Sequence, residues 1–232
     1  FAGDGNEDVF RNEVDYLDTL ASKRLDAEGR VIGLVNHPDS LQRTPRPLAT
    51  LANLRIALDG IGARMDRNED ILLLYITTHG SEDHQLAVQL EGELDSGLSP
   101  KQLRGALDHA GIDYRVLVVS ACYSGGFIPA LRGPRTLVLT AARRDRPSFG
   151  CGSESTVTWF GRAWLVEGLH RNSGPVEAIQ YAKRQISRRE AMEEFEPSFP
   201  QSDIGKGIAE RLRAWQATLP ATTAVPYPHP ID

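Results

Sequence analysis

Apolar residues near the start of the chain recur at helical spacing. Phe10, Val14, Leu17, Leu20 and Leu25 predict a helix over Asp8 to Leu25 with Asp8 at its N-cap. The short apolar run Val31 to Val35 predicts a buried strand, and the Pro-, Ser- and Thr-rich stretch His37 to Pro47 a loop. Leu48 to Met65 returns to helical spacing. Ile71 to Thr78 is a continuous apolar run bounded by Asp70 and His79-Gly80, as expected of a central strand covered on both faces. Gln85 to Glu93 alternates, with Leu86, Val88 and Leu90 on one side, and predicts a small hairpin arm outside the main sheet. Ser99-Pro100 opens a helix that runs to Ala110, serine at the N-cap and proline at the first helical position.

Val116 to Ala121 and Thr136 to Ala141 predict two more central strands, the first ending at Cys122. The polar, glycine-containing stretch Arg143 to Ser155 reads as a loop of functional length. Helical patterns follow over Val157–Leu169, Val176–Glu194 and Ile204–Trp215. Strands alternating with helices predict a mostly parallel sheet with helices on both faces. There is no internal repeat and no linker, so residues 1–219 read as one domain. Residues 220–232 form a Pro-rich tail, expected to be extended or disordered.

Composition narrows the field. The chain has 232 residues, 26 Lys plus Arg against 31 Asp plus Glu, and a net charge of −5. With no basic stripe, nucleic-acid binding is not expected. No stretch of about 18 apolar residues is present, so no membrane contact is expected within this chain. Its opening, Phe1-Ala2-Gly3, looks like the end of a strand whose beginning is missing, which leaves room for an upstream segment or membrane anchor. The two cysteines, Cys122 and Cys151, cannot make a disulfide framework, although they could form one bridge.

In open parallel α/β sheets, sites gather at the carboxyl ends of strands. Here two such ends carry reactive residues, Thr77-Thr78-His79-Gly80 and Ser120-Ala121-Cys122-Tyr123-Ser124-Gly125-Gly126, with His79 and Cys122 43 residues apart. A thiol of ordinary pKa is only a few per cent thiolate at neutral pH. A neighbouring histidine or helix N-terminus raises that fraction, and Cys122 has both candidates in His79 and a helix starting near Ser124. Gly80 lets a bare backbone N–H approach a ligand. The N–H groups of Gly80 and Cys122 then make a candidate oxyanion hole. Taken singly, a cysteine at a strand end is more often a small buried apolar residue, and His-Gly more often a turn. The joint occurrence favours catalysis. His79 and His84 lack metal-ligand spacing, so neither metal nor cofactor is expected. The serine-hydrolase elbow G-x-S-x-G is absent.

These motifs resemble the legumain-like cysteine peptidases, a caspase-like (clan CD) family with E-A-C-x-S-G and H-G motifs, and in particular its bacterial branch. Leu139-Thr140-Ala141-Ala142, Ser148-Phe149-Gly150-Cys151, Trp159-Phe160-Gly161 and Ala2-Gly3-Asp4-Gly5 extend the likeness over most of residues 1 to 195. The resemblance implies an α/β caspase-like three-layer sandwich and a cysteine endopeptidase acting on a peptide or protein substrate through an acyl-enzyme. His79 and Cys122 match the catalytic pair. Asp8, after a one-residue gap, falls where the family has an asparagine that helps orient the histidine. Arg11 falls near a basic pocket residue, and Ser148 matches a pocket serine. Cys151 matches a loop cysteine that is not the nucleophile. The compartment is left open by the sequence, and the missing start allows a soluble domain of a longer, membrane-anchored bacterial protein.

Two departures alter the pocket. The family's glutamate two residues before the nucleophile is Ser120 here, and its aspartate after the aromatic-Gly pair is Arg162. With Arg11 and Arg162 near the pocket, an acidic or altered preference for the residue before the cut is expected. Transpeptidation or ligation by the same chemistry remains an alternative, as does a non-catalytic caspase-like scaffold.

Overall fold

A computed structural model describes residues 1–152, 154–172, 174–219 and 224–231. In chain order its elements are α1 (Asp8–Arg24), α2 (Asp39–Gln42), α3 (Leu51–Gly62), β1 (Ile71–Thr77), β2 (Leu86–Leu90), β3 (Leu94–Leu98), α4 (Pro100–His109), β4 (Tyr114–Ser120) and a 3-10 turn (Ser124–Phe127). Then come α5 (Ile128–Leu131), β5 (Thr136–Thr140), a π-helical stretch (Gly161–Gly168), α6 (Leu169–Asn172), α7 (Pro175–Met192), β6 (Gln201–Ile204) and α8 (Lys206–Gln216).

The central sheet has the order β1-β4-β5-β6. β1 pairs with β4 and β4 with β5 in parallel, whereas β6 closes the edge antiparallel to β5. Side chains of a strand alternate between faces, and here both faces are apolar. Val116 and Val118, with Leu137 and Leu139, point into one core shared with α1, the π-helical stretch, α7 and α8. Leu117 and Val119, with Val138, point into the other, shared with α3, α4 and the β2-β3 hairpin. This is a three-layer α/β sandwich.

Three differences from the sequence expectation stand out. Val31 to Val35 is not a buried strand: Ile32 is 49% exposed, and only Val35 makes a bridge, to Ala2. The lining there is the Ala2 segment itself, which sits between Leu34–Asn36 and β1 through Ala2 N–H to Leu34 O and Gly3 N–H to Thr77 O. Second, β6 has no apolar run and takes its place by pairing, Leu137 opposite Ile204 and Thr140 opposite Gln201. Third, Asp8 is the first helical residue of α1, and Glu7 holds the N-cap position without a side-chain cap. By contrast, the α4 start has the full reciprocal cap: Ser99 accepts from Gln102 N–H while the Gln102 side chain accepts from Ser99 N–H.

Of the Pro-rich tail, residues 220–223 and 232 lie outside the described residues, as does Ser153 of the long loop. Residues 224–231 lie against α1, where Tyr16 OH donates to Val225 O at 2.8 Å and the Tyr16 and Tyr227 rings meet edge to face.

Candidate active site

The β1-β4 register places Thr77 opposite Ser120. His79 and Cys122 each lie two residues beyond that pair, so the sheet brings their backbones side by side. Gly80 lies directly against Cys122: a Cβ at position 80 would sit 2.2 Å from the Cys122 carbonyl oxygen. Only glycine permits that approach. Among the described residues, neither the Gly80 nor the Cys122 N–H has an acceptor. Among the described residues, each of the two adjoining strand ends thus carries an unpaired backbone donor.

The Cys122 thiol is held by the long loop. Ser148 N–H donates to Sγ at 3.2 Å, and the Ser148 carbonyl and hydroxyl oxygens lie 3.5 and 3.6 Å from it. Among the described residues, no hydrogen bond joins Sγ to His79. The His79 ring instead rests edge-on against Phe10, centroids 5.2 Å apart, and its Nε2 lies 3.4 Å from Glu7 Oε1. The other Glu7 oxygen, Oε2, is buried without a hydrogen-bond partner. Directly after Cys122, Tyr123 adopts the left-handed conformation (φ 56°), a costly one for an aromatic residue. Its N–H donates to Arg146 O at 2.8 Å, pinning the loop to the turn.

A sequence profile of the peptidase C13 family matches residues 60–211, a span that contains both strand ends. The chain belongs to the peptidase C13 family. Membership brings with it a cysteine-peptidase kind of function and a protein substrate. Among solved structures, caspase-1 from Spodoptera frugiperda matches with a TM-score of 0.57 at 14% identity, covering 87% of this chain and 83% of that one. At that identity the likeness establishes the caspase-like fold alone. No curated protein sequence matches the chain. No helix among the described residues is long and apolar enough to cross a membrane.

In this C13 chain, the other residues singled out from the sequence fall in different places. Asp8 does not face His79. It is tied to His37 Nε2 at 2.9 Å and to Arg11 at 3.1 Å, and the carboxylate that reaches His79 belongs to Glu7, one residue earlier. Burial pushes the Asp8 carboxyl up, but the His37 hydrogen bond and the Arg11 charge together hold it below its ordinary value. Arg11 is spoken for by Asp8, Asp39, His37 and Asn12. Arg162 is paired with Glu167 at 2.9 Å. Both charges are thus neutralised within the fold, and the expected acidic preference loses the two free cations on which it rested. The helix expected after Cys122 is also shorter than anticipated, a 3-10 turn followed by the four-residue α5. Its dipole is correspondingly small.

Ser120 is buried, its Oγ 3.4 Å from Thr158 Oγ1. Beside it lies a carboxylate that sequence reasoning missed. Glu13 on α1 is fully buried and accepts four hydrogen bonds: Tyr75 OH and Thr77 Oγ1 on one oxygen, Thr158 N–H and Thr158 Oγ1 on the other. Burial pushes its carboxyl up, against the pull of those donors. Gly161 makes room for it, since a Cβ there would meet Glu13 Oε1 at 2.1 Å. The sequence did carry a signal: Glu13 falls on the apolar stripe of α1, between Phe10 and Val14 and Leu17. Glu13 ties β1 to Thr158, just after the long loop that holds Ser148.

Cys151 is a free thiol packed against the Val9, Phe10 and Val14 cluster. Burial, and then the nearby Cys122, push its pKa up to about 11. Among the described residues, no group of three or more His, Cys, Asp or Glu side chains is placed to hold a metal.

Proposed function

We propose that the chain hydrolyses peptide bonds with Cys122 as nucleophile and His79 as acid and base. The observation that carries this reading is the pair of adjoining strand ends, where His79-Gly80 meets Cys122 beside two unpaired backbone N–H donors. The Cys122 thiolate attacks the scissile carbonyl carbon, and the N–H groups of Gly80 and Cys122 receive the developing oxyanion. Glu7 at Nε2 orients the His79 ring, which leaves Nδ1 to trade protons. From Nδ1 the leaving amine takes its proton as the carbon–nitrogen bond breaks, giving a thioester on Cys122. Water, deprotonated by the same nitrogen, then releases the acid and restores the thiol. The lack of a hydrogen bond between Sγ and the imidazole among the described residues fits a resting site, because such contacts often tighten only with substrate bound. Ser148 would line the wall beside the residue that precedes the cut.

A peptidyl acyloxymethyl ketone probe tests this. The wild type should be labelled at Cys122, Cys122→Ala should not, and His79→Ala should react at least a hundred-fold more slowly, the usual scale of general-base loss. A folded wild type that neither takes the probe nor cuts any peptide of a mixed library refutes the proposal. Glu7→Gln separates orientation from charge: it should retain most of the labelling rate, whereas Glu7→Ala should not.

A further inference from the structure

Beyond the thiol, the nucleophile turn borders a cleft of about 580 Å³ lined by Gly125, Ile128, Pro129, Arg143, Arg144, Asp145 and Gln201. One wall is the 3-10 turn and the start of α5, and the other is the loop leaving β5. The two walls are locked together: Ala142 N–H donates to Ser124 Oγ at 3.2 Å and Tyr123 N–H to Arg146 O at 2.8 Å, while Arg143 N–H, donating to Ser198 O at 2.8 Å, ties the loop to the segment before β6. The loop is thus laid along the turn, with Ser148 at Cys122, Arg146 at Tyr123 and Arg144 at Gly125, where a Cβ would lie 2.5 Å from Arg144 N. Ser148 and the cleft therefore stand at opposite ends of one contact line, with the thiol at the Ser148 end. Gly125 is three Cα steps from Cys122, at most about 11 Å. That is the reach of two or three residues of an extended peptide.

The charges in the cleft do not cancel. Asp145 is occupied by the Arg143 fork, one bond to each carboxylate oxygen. Arg146 is paired outward with Glu196. Arg144 is exposed and, among the described residues, has no hydrogen-bond or ion-pair partner. A lone cation thus lines a partly apolar cleft on a chain whose net charge is −5. We infer that this cleft receives the leaving-group side of the substrate and selects an acidic side chain one to three residues after the cut, with Arg144 as the selecting residue. The placement on the leaving-group side rests on the proposed peptidase reading, in which Ser148 lines the acyl side.

Two measurements on the full chain decide it. The first reads cleavage of a complex peptide library by wild type, Arg144→Lys and Arg144→Glu. Asp and Glu should be enriched about two- to five-fold at one of the first three positions after the cut, the scale of an exposed ion pair. Arg144→Lys should keep the enrichment, Arg144→Glu should replace it with Lys and Arg, and 0.5 M salt should flatten it. Cleavage with no bias at these positions, or a bias unchanged by Arg144→Glu, overturns the inference. The second needs no catalysis. Amide spectra of Cys122→Ala titrated with the peptide Ala-Asp-Asp should shift at Gly125, Ile128 and Arg144, with smaller shifts for Ala-Lys-Lys and for the double variant Cys122→Ala/Arg144→Ala. Equal responses to the acidic and basic peptides overturn the inference even if the wild type cuts nothing, a result that would count separately against the peptidase reading.

Discussion

Replacing Glu13 by alanine strips the common acceptor from four donors in the core. Tyr75 OH, Thr77 Oγ1, Thr158 N–H and Thr158 Oγ1 all converge on that carboxylate. A buried donor left without a partner costs about 1–3 kcal/mol. The hydroxyls of Thr77 and Thr158 can turn elsewhere, but the Thr158 N–H cannot, and Tyr75 is fixed by its ring. Two stranded donors and the cavity together cost about 3 kcal/mol or more. For a chain of this size, that lowers Tm by roughly 6–12 °C. Glutamine should behave differently. Its oxygen can serve the Thr158 N–H while its amide donates to the Tyr75 and Thr77 hydroxyls, which can accept, so Glu13→Gln should stay within about 1 kcal/mol of wild type at neutral pH. The two variants also separate in pH. The Glu13 carboxyl is raised in the fold above the 4.5 of the free group, so the folded chain binds its proton more tightly than the unfolded chain. That contribution to stability is complete below pH 4.5 and is lost as pH rises through the folded value. Wild type minus Glu13→Gln should therefore decline with pH from 4.5 upward, with the opposite, low-pH contributions of Asp8 and Asp108 cancelling in the difference. Calorimetric melts from pH 4 to 8 measure all of this. An alanine variant melting within about 2 °C of wild type, or a glutamine variant that keeps the full wild-type slope, would refute the reasoning.

Three further outcomes are expected. In iodoacetamide alkylation of the native protein at pH 8, Cys151 should react far more slowly than Cys122, because burial pushes its pKa up to about 11; quantified peptide mapping reads the two rates. Gly80→Ala should slow active-site labelling at least ten-fold and cost about 1–3 kcal/mol, since its Cβ must displace the Cys122 carbonyl from 2.2 Å; labelling kinetics beside a thermal melt check both parts. Ser99→Ala removes the α4 cap and should cost about 1 kcal/mol without changing labelling, a drop of roughly 2–4 °C in a melt.

Much of the sheet was legible because its central strands are covered on both faces and carry continuous apolar runs at their cores: Ile71 to Ile76, Val116 to Val119 and Leu137 to Leu139. What the pattern could not convey was anything decided by a partner distant in sequence. Gln201 to Ile204 becomes a strand only because the β5 edge is open to it, and no property of Gln-Ser-Asp-Ile announces that. Ile32 is apolar yet exposed, because the Ala2 segment reaches only as far as Leu34. The same limit applied at the site. That His79, Gly80 and Cys122 lie at adjoining strand ends was legible from the apolar runs that precede them. The side chains surrounding them were not, since a shift of one residue on α1 exchanges Asp8 for Glu7 at the imidazole. Arg11 and Arg162 looked free in the sequence because Asp39 and Glu167 reveal themselves as partners only once folded.

The parallel pairing of β1 with β4 also governs when the two strand ends meet during synthesis. Two parallel neighbours cannot be joined by a tight turn, and here the crossover holds the β2-β3 hairpin and α4. Pairings that span so much chain form late, because the entropy of closing the loop is spent before the contacts repay it. β5 is the other neighbour of β4, so a nascent chain that has not yet emerged past Thr140 lacks one of the two strands that flank β4. Until then Cys122 and His79 are held apart, each on a strand end without its neighbour.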